Sequence, residues 1–223
     1  MNCLFILGRQ PALGLAELES LYGSRKIQPL GNVGALVDID SKEVSFMRLG
    51  GMVKFCKVLT VLDTTSWKEI QKFLESSVPT HASNLPEGKL RLGLSAYGLK
   101  TSPKQITATG LELKKLIRQS GRPVRLIPNK QTELNSAQVL HNQLTSKLGW
   151  ELVFVRNGNQ TIVAQSIAVQ DIEAYAARDQ ARPKRDARIG MLPPKLAQII
   201  INLANAPDGK VLLDPFCGTG VIL

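Results

Sequence analysis

The segment Val211-Leu212-Leu213-Asp214-Pro215-Phe216-Cys217-Gly218-Thr219-Gly220 decides how this chain is read. An apolar run of strand type leads into an acidic residue and then a Gly-x-Gly turn. An α/β domain opens in this way when it holds a small charged cofactor at the end of its first strand. Gly218 and Gly220 admit a close backbone turn that a Cβ would block, and the N terminus of a following helix would present free N–H groups to a carboxylate. Asp214, at the strand end, favours a cationic group such as an amine. The methionine part of S-adenosylmethionine carries both an ammonium and a carboxylate, and so meets both demands better than a dinucleotide does. The loop lacks the Lys and Ser/Thr of a phosphate-binding P-loop and the third Gly of the dinucleotide fingerprint. The candidate cofactor-binding residues are Asp214, Pro215, Phe216, Gly218, Thr219 and Gly220. Leu223 is the last residue, so the expectation is a chain that carries the start of such a domain and little more of it.

Upstream, Pro193-Pro194 opens a helix whose apolar face is read as Leu196, Ile199, Ile200 and Leu203. Between Tyr175 and Gly190 the residues are Arg178, Asp179, Arg182, Pro183, Lys184, Arg185, Asp186 and Arg188 with no apolar periodicity, so 171–190 reads as a linker. The strand Val211–Phe216 belongs at the centre of a parallel sheet. With no neighbours for it in the chain, the expectation is that residues from about Pro194 onward anchor weakly.

Two compact α/β units precede the linker. In 1–62, Cys3–Leu7 reads as a strand, Pro11–Tyr22 as a helix, Gly34–Asp40 as a strand, Ser41–Leu49 as a short helix and Phe55–Leu59 as a strand, a pattern that fits a small ferredoxin-like module. In 63–170, a helix starts at Ser66, a strand covers Lys89–Ser95, and a helix opens at Pro103 and reaches about Gln119. A short strand follows at Val124–Ile127, then a helix from Asn135 or Ser136 to Lys147. Two strands around the Asn157-Gly158-Asn159 turn complete a hairpin.

The 223 residues are 43% hydrophobic, enough for a buried core, and the formal charge is +10. The surplus is central: 14 basic against 7 acidic residues in 61–170, compared with 7 against 5 in 1–60 and 7 against 6 in 171–223. This places a polyanion contact on the second unit. No run approaches the roughly 18 apolar residues of a membrane span, and the first residues lack the basic region of a signal peptide, so a cytoplasmic protein without a membrane partner is expected. Cys3, Cys56 and Cys217 are far apart and only His81 and His141 are present, which excludes a disulfide framework and offers no metal site. Cys217 has no neighbouring base and reads as packing.

The helix from Pro103 carries Lys104, Lys114, Lys115 and Arg118, continued by Arg122 and Arg125. With Leu111, Leu113, Leu116 and Ile117 read as inward, this basic set faces solvent together, suited to phosphate contacts that position RNA without reading bases. Arg178, Arg182 and Arg185 either join that contact or stiffen the linker through Asp179 and Asp186. Trp67, Trp150 and Tyr175 read as packing rather than stacking platforms.

Asp214-Pro215-Phe216-Cys217-Gly218-Thr219-Gly220 resembles the first cofactor motif of class I amino-methyltransferases. Arg178-Asp179, Arg182-Pro183-Lys184-Arg185-Asp186 and Gly190-Met191-Leu192-Pro193-Pro194-Lys195-Leu196-Ala197 resemble the entry to that domain in THUMP-containing tRNA guanosine N2-methyltransferases, the group acting at tRNA position ten. Residues 1–60 are similar to the ferredoxin-like module of that family and about 65–170 to THUMP itself, including Leu134-Asn135-Ser136-Ala137-Gln138-Val139. The resemblance implies an N-terminal ferredoxin-like module, a THUMP-like RNA-binding domain, a linker, and from 191 the start of a Rossmann-like methyltransferase domain. It implies S-adenosylmethionine as cofactor, tRNA as partner, and direct methyl transfer to the exocyclic amine of a guanine. The family's Asp/Asn-Pro-Pro-aromatic string, which holds that amine, is absent from the chain, and Pro193-Pro194 follows a leucine upstream of the cofactor loop. The chain by itself is therefore expected to be inactive. The alternatives are a stand-alone structured-RNA-binding module and a DNA amino-methyltransferase, which shares the first motif.

Overall fold

A computed structural model of the chain describes residues 3–181, 191–206 and 209–215. They divide into two compact units, one formed by Cys3–Val53 with the residues from Gln170 onward and one by Lys54–Val169. The first boundary thus falls between Val53 and Lys54 rather than after Leu62.

In the first unit, β1 (Cys3–Leu7) is entirely buried, and α1 (Pro11–Tyr22) starts on a proline, whose missing N–H costs nothing at a helix start, and closes on Gly23 at φ +85°. The edge strand β2 (Ile27–Leu30), which the sequence reading missed, pairs antiparallel with β3 (Gly34–Val37), and β3 pairs antiparallel with β1 from Cys3 opposite Val37 to Ile6 opposite Gly34. Pro29 conceals β2 in the sequence but is tolerated at an edge. With β4 (Met52–Leu62) the strand order is β2-β3-β1-β4, the order of a ferredoxin-like sheet.

The expected helix over Ser41–Leu49 is not formed. Two single 3-10 turns, Ser41–Glu43 and Phe46–Arg48, take its place, and the capping side chain is Asp40, which accepts from Lys42 N at 2.9 Å. Nine residues interrupted by Val44 and Ser45 are too few to sustain a helix without packing support. The helix that packs beside α1 comes from the far end of the chain.

The second unit takes up the remaining length of β4 and adds α2 (Trp67–Ser83), β5 (Leu90–Tyr97), α3 (Pro103–Gln119), β6 (Val124–Leu126), α4 (Ser136–His141), β7 (Gly149–Asn157) and β8 (Gln160–Val169). Its strand order is β4-β8-β7-β5-β6, with β5 parallel to both β6 and β7 and the hairpin β7-β8 antiparallel around Gly158 at φ +59°. The core is built from Trp67, Ile70 and Leu74 of α2, Ile106, Leu113 and Ile117 of α3, and inward residues of β5, β7 and β8 such as Leu92, Phe154 and Val163. The expected helix to Lys147 stops at His141; Asn135 caps it in a box with Gln138.

The first unit is completed by α5 (Ile172–Gln180) and α6 (Pro194–Leu203); α5 corrects the linker reading over 172–180, its remainder 182–190 lying outside the described residues, and α6 corrects the reading of the tail as loosely held over 194–203. Asp171 caps α5 by accepting from Ala174 N at 2.9 Å, and the buried Tyr175 anchors the helix through its hydroxyl to Gln198 Oε1 at 2.5 Å. One aromatic anchor leaves no periodicity to detect. Helix α6 lies against α1 and buries Ala197, Ile199 and Asn202, whereas Ile200 and Leu203, read as inward, are 40% and 38% exposed. The expected strand at Val211–Phe216 is not formed in its described part: Val211 is 95% and Leu213 84% exposed, and no strand among the described residues pairs with them. Without a neighbour, extended backbone has no ladder to join.

Candidate nucleic-acid interface

Helix α3 is fixed at its start by a full capping box, Ser102 Oγ accepting from Gln105 N and Gln105 Oε1 from Ser102 N. Ile106, Thr109, Gly110, Leu113 and Ile117 form its buried face, so the turn spacing sends Lys104, Leu111, Lys115 and Arg118 outward, with Lys114 half-buried beside them. Leu111 corrects the inward reading: it is 54% exposed and lies among the cations. Together with Lys114, Lys115, Arg118 and Gln119 it lines a shallow cavity of about 440 Å³. Lys115 meets Glu112 at 3.5 Å on the solvent side, an exposed pair that water and salt screen heavily. Arg125 on β6 is exposed as well.

Arg122 does not belong to this set. Its guanidinium donates to the carbonyls of Ala82, Leu85 (3.1 Å) and Pro86, closing the end of α2. Ala82 O also accepts from Leu85 N, and the guanidinium fork ties it to the carbonyls of Leu85 and Pro86 just past the end of the helix. Arg178 is exposed on α5 with its guanidinium 4.7 Å from the Tyr175 ring centroid, and Lys195 approaches the same ring at 5.1 Å. Arg182 and Arg185 lie outside the described residues.

Of the cofactor-motif residues, Asp214 and Pro215 end the described part, while Phe216, Gly218, Thr219 and Gly220 lie outside it, as does Cys217. The described residues therefore assemble no pocket for S-adenosylmethionine, and that assignment stands on the sequence motif. Burial raises the Cys3 thiol to about 11 and the Cys56 thiol to about 12, so neither is a nucleophile. Trp67, Trp150 and Tyr175 are buried, Trp67 donating its Nε1–H to Thr109 Oγ1 at 3.0 Å. No group of three or more metal-ligating side chains occurs among the described residues, and no helix among them is long and apolar enough to cross a membrane.

Two buried polar clusters escaped the sequence reading. In the second unit Lys54, 1% exposed, is paired with Glu151, 0% exposed. Lys54 Nζ also donates to Leu134 O at 2.7 Å, and Ser95 Oγ and Ser166 Oγ donate to the carboxylate at 2.6 and 2.5 Å. Ser95 Oγ accepts from Leu134 N at 2.9 Å, so the cluster holds both backbone groups of the residue that opens Leu134–Val139. In the first unit, Glu17 and Asn202 are joined in the same manner. A charged residue inside an otherwise apolar strand or helix face is the signal for both.

Residues 182–223 match the RMKL-like methyltransferase domain family. A tRNA (guanine(10)-N2)-dimethyltransferase of Methanocaldococcus jannaschii is 34% identical over 65 residues, 29% of this chain and 18% of that protein. Its counterpart in Methanothermobacter thermautotrophicus is 38% identical over 77 residues, 33% and 22% of the respective chains. The chain thus aligns with about a fifth of the length of these curated relatives. SMU.472, described as a methyltransferase and solved with SAH, shares the fold at a TM-score of 0.51 and 15% identity, covering 99% of this chain and 53% of that one. The fold is that of a mixed α/β protein, and the sequence of residues 182–223 is similar to the RMKL-like methyltransferase domain. Over about a third of its length the chain is similar in sequence to the two tRNA (guanine(10)-N2)-dimethyltransferases.

Proposed function

We propose that this chain is the RNA-targeting portion of an S-adenosylmethionine-dependent tRNA (guanine-N2)-methyltransferase. The observation that carries the RNA-binding part is the outward side of α3, which carries Lys104, Lys114, Lys115 and Arg118, with Glu112 paired to Lys115; Arg125, exposed on β6, is a separate candidate contact. Cations so placed neutralise phosphates and orient a structured RNA by its backbone. Arg178, Arg182 and Arg185 are further RNA contacts in this proposal.

Asp214, Pro215, Phe216, Gly218, Thr219 and Gly220 hold S-adenosylmethionine in this proposal, the carboxylate of Asp214 receiving the ammonium. No Asp/Asn-Pro-Pro-aromatic string occurs in the 223 residues, so the chain alone binds tRNA and transfers no methyl group. The test pairs two proteins, this chain and a version extended through a whole methyltransferase domain, each incubated with tRNA and labelled S-adenosylmethionine. Transfer to guanine N2 by the extended protein, with binding and no transfer by the 223-residue chain, supports the proposal. Failure of the extended protein to label tRNA overturns it.

A further inference from the structure

The first unit contains a built seat for α6. Glu17, wholly buried on α1, accepts from Gly50 N at 2.9 Å, Gly51 N at 2.8 Å and Asn202 Nδ2 at 2.7 Å. Asn202, 1% exposed, also donates to Arg48 O at 2.7 Å and accepts from Arg48 Nε at 3.1 Å, while its own carbonyl accepts from Ser20 Oγ at 2.8 Å. Both amide hydrogens and the amide oxygen of Asn202 are thus used, and its partners lie 154 to 185 residues away in sequence.

The backbone is fitted to the same purpose. A Cβ on Gly50 would run into Lys195 O, and one on Gly51 would meet Gly14 Cα at 2.7 Å, so these glycines let α6 and α1 close on the turn. Gln198 Nε2 donates to Met47 O at 2.7 Å and Lys195 Nζ to Gln170 Oε1 at 2.5 Å. Helix α6 stands where the absent helix over Ser41–Leu49 leaves a side of α1 to be covered.

An apolar helix face in an apolar groove can slip along its axis at small cost. A single buried amide with fixed partners forbids the slip, the best-attested use of such a group. A slip of one residue would move α6 by about 1.5 Å and rotate it by about 100°, and a misplacement of about 1 Å at a reacting centre can cost about a hundredfold in rate. Only residues 204–213 separate α6 from Asp214.

We propose that Asn202, seated on Glu17, is a positioning residue for methyl transfer: it fixes the register of α6 in the N-terminal module and so the place from which the Asp214–Gly220 cofactor segment departs. The role rests on the methyltransferase reading above; the seat itself does not.

The test uses two proteins. In the 223-residue chain, Asn202→Leu should raise amide exchange across 194–203 while leaving α3 and β7 protected. Unchanged protection of 194–203 overturns the proposal. In the version extended through a methyltransferase domain, the same change should lower the single-turnover transfer rate at saturating tRNA and S-adenosylmethionine by about tenfold to a hundredfold, with both dissociation constants within about twofold of the parent. An unchanged rate overturns the proposal. An extended parent that transfers nothing sinks the methyltransferase reading, while the exchange result still decides the seat.

Discussion

Replacing Glu151 with Leu removes the only carboxylate paired with Lys54 among the described residues, in a site where Lys54 is 1% and Glu151 0% exposed. Leu134 O stays as an acceptor for the ammonium, but the charge is left uncompensated in the core, and Ser95 and Ser166 lose their shared acceptor. Breaking a buried pair on one side costs about 3–5 kcal/mol, about a fifth or more of the roughly 5–15 kcal/mol that holds a domain together. With a urea slope of about 2 kcal/mol/M, the midpoint should fall by about 2 M. The double variant Lys54→Met with Glu151→Leu removes the stranded charge along with its partner and should regain at least about half of the loss. Urea unfolding followed by circular dichroism, in parent, single and double variants, measures all three. A single-variant cost under about 1 kcal/mol, or a double variant no more stable than the single, would refute the view that a desolvated ammonium is what makes the single change costly.

Removal of residues 191–223 should lower the melting temperature by several degrees, because it uncovers the α1 side buried by Ala197, Ile199 and Asn202 and takes one donor from Glu17; an unchanged melting temperature would mean that α6 is not integral. Arg122→Ala should cost about 1–3 kcal/mol through loss of the guanidinium's charge-assisted hydrogen bonds to the carbonyls of Ala82, Leu85 and Pro86, yet leave tRNA affinity at low salt as it was; a fall in affinity with stability intact would return Arg122 to the RNA surface. Burial lifts the thiols to about 11 at Cys3 and about 12 at Cys56, against 9.0 when exposed. Above pH 9 the unfolded chain therefore gives up these protons first. The stabilisation is complete below pH 9 and is lost as pH rises through the folded values, so unfolding midpoints should decline over pH 9 to 11. Cys3→Ala with Cys56→Ala should flatten that decline.

Local signals were read where one residue type does one job. Pro11 and Gly23 bound α1, Pro103 starts α3, and Asn157-Gly158-Asn159 turns β7 into β8, each as the sequence indicated. Long-range terms were not legible. Residues 41–49 carry enough apolar content for a helix, but the neighbour of α1 is supplied by α6, and nothing local announces it. Tyr175 and Asn202 act through partners far along the chain, so α5 resembled a linker and α6 was assigned a face shifted by about one position. In the interface, Lys104, Lys115, Arg118 and Arg125 are exposed as read. Arg122 differs because three carbonyls compete for it.

The central claim, that the second unit presents α3 to tRNA, is tested most directly by the tRNA affinity of the 223-residue chain over a salt series, for the parent and for Lys114→Glu, Lys115→Glu and Arg118→Glu combined. The loss of about three phosphate contacts should cut the slope of log affinity against log salt by about 3, and affinity at low salt should fall by more than about a hundredfold and converge with the parent at high salt. An equal affinity and slope in a triple variant whose circular dichroism matches the parent would contradict the account and move the RNA site off α3.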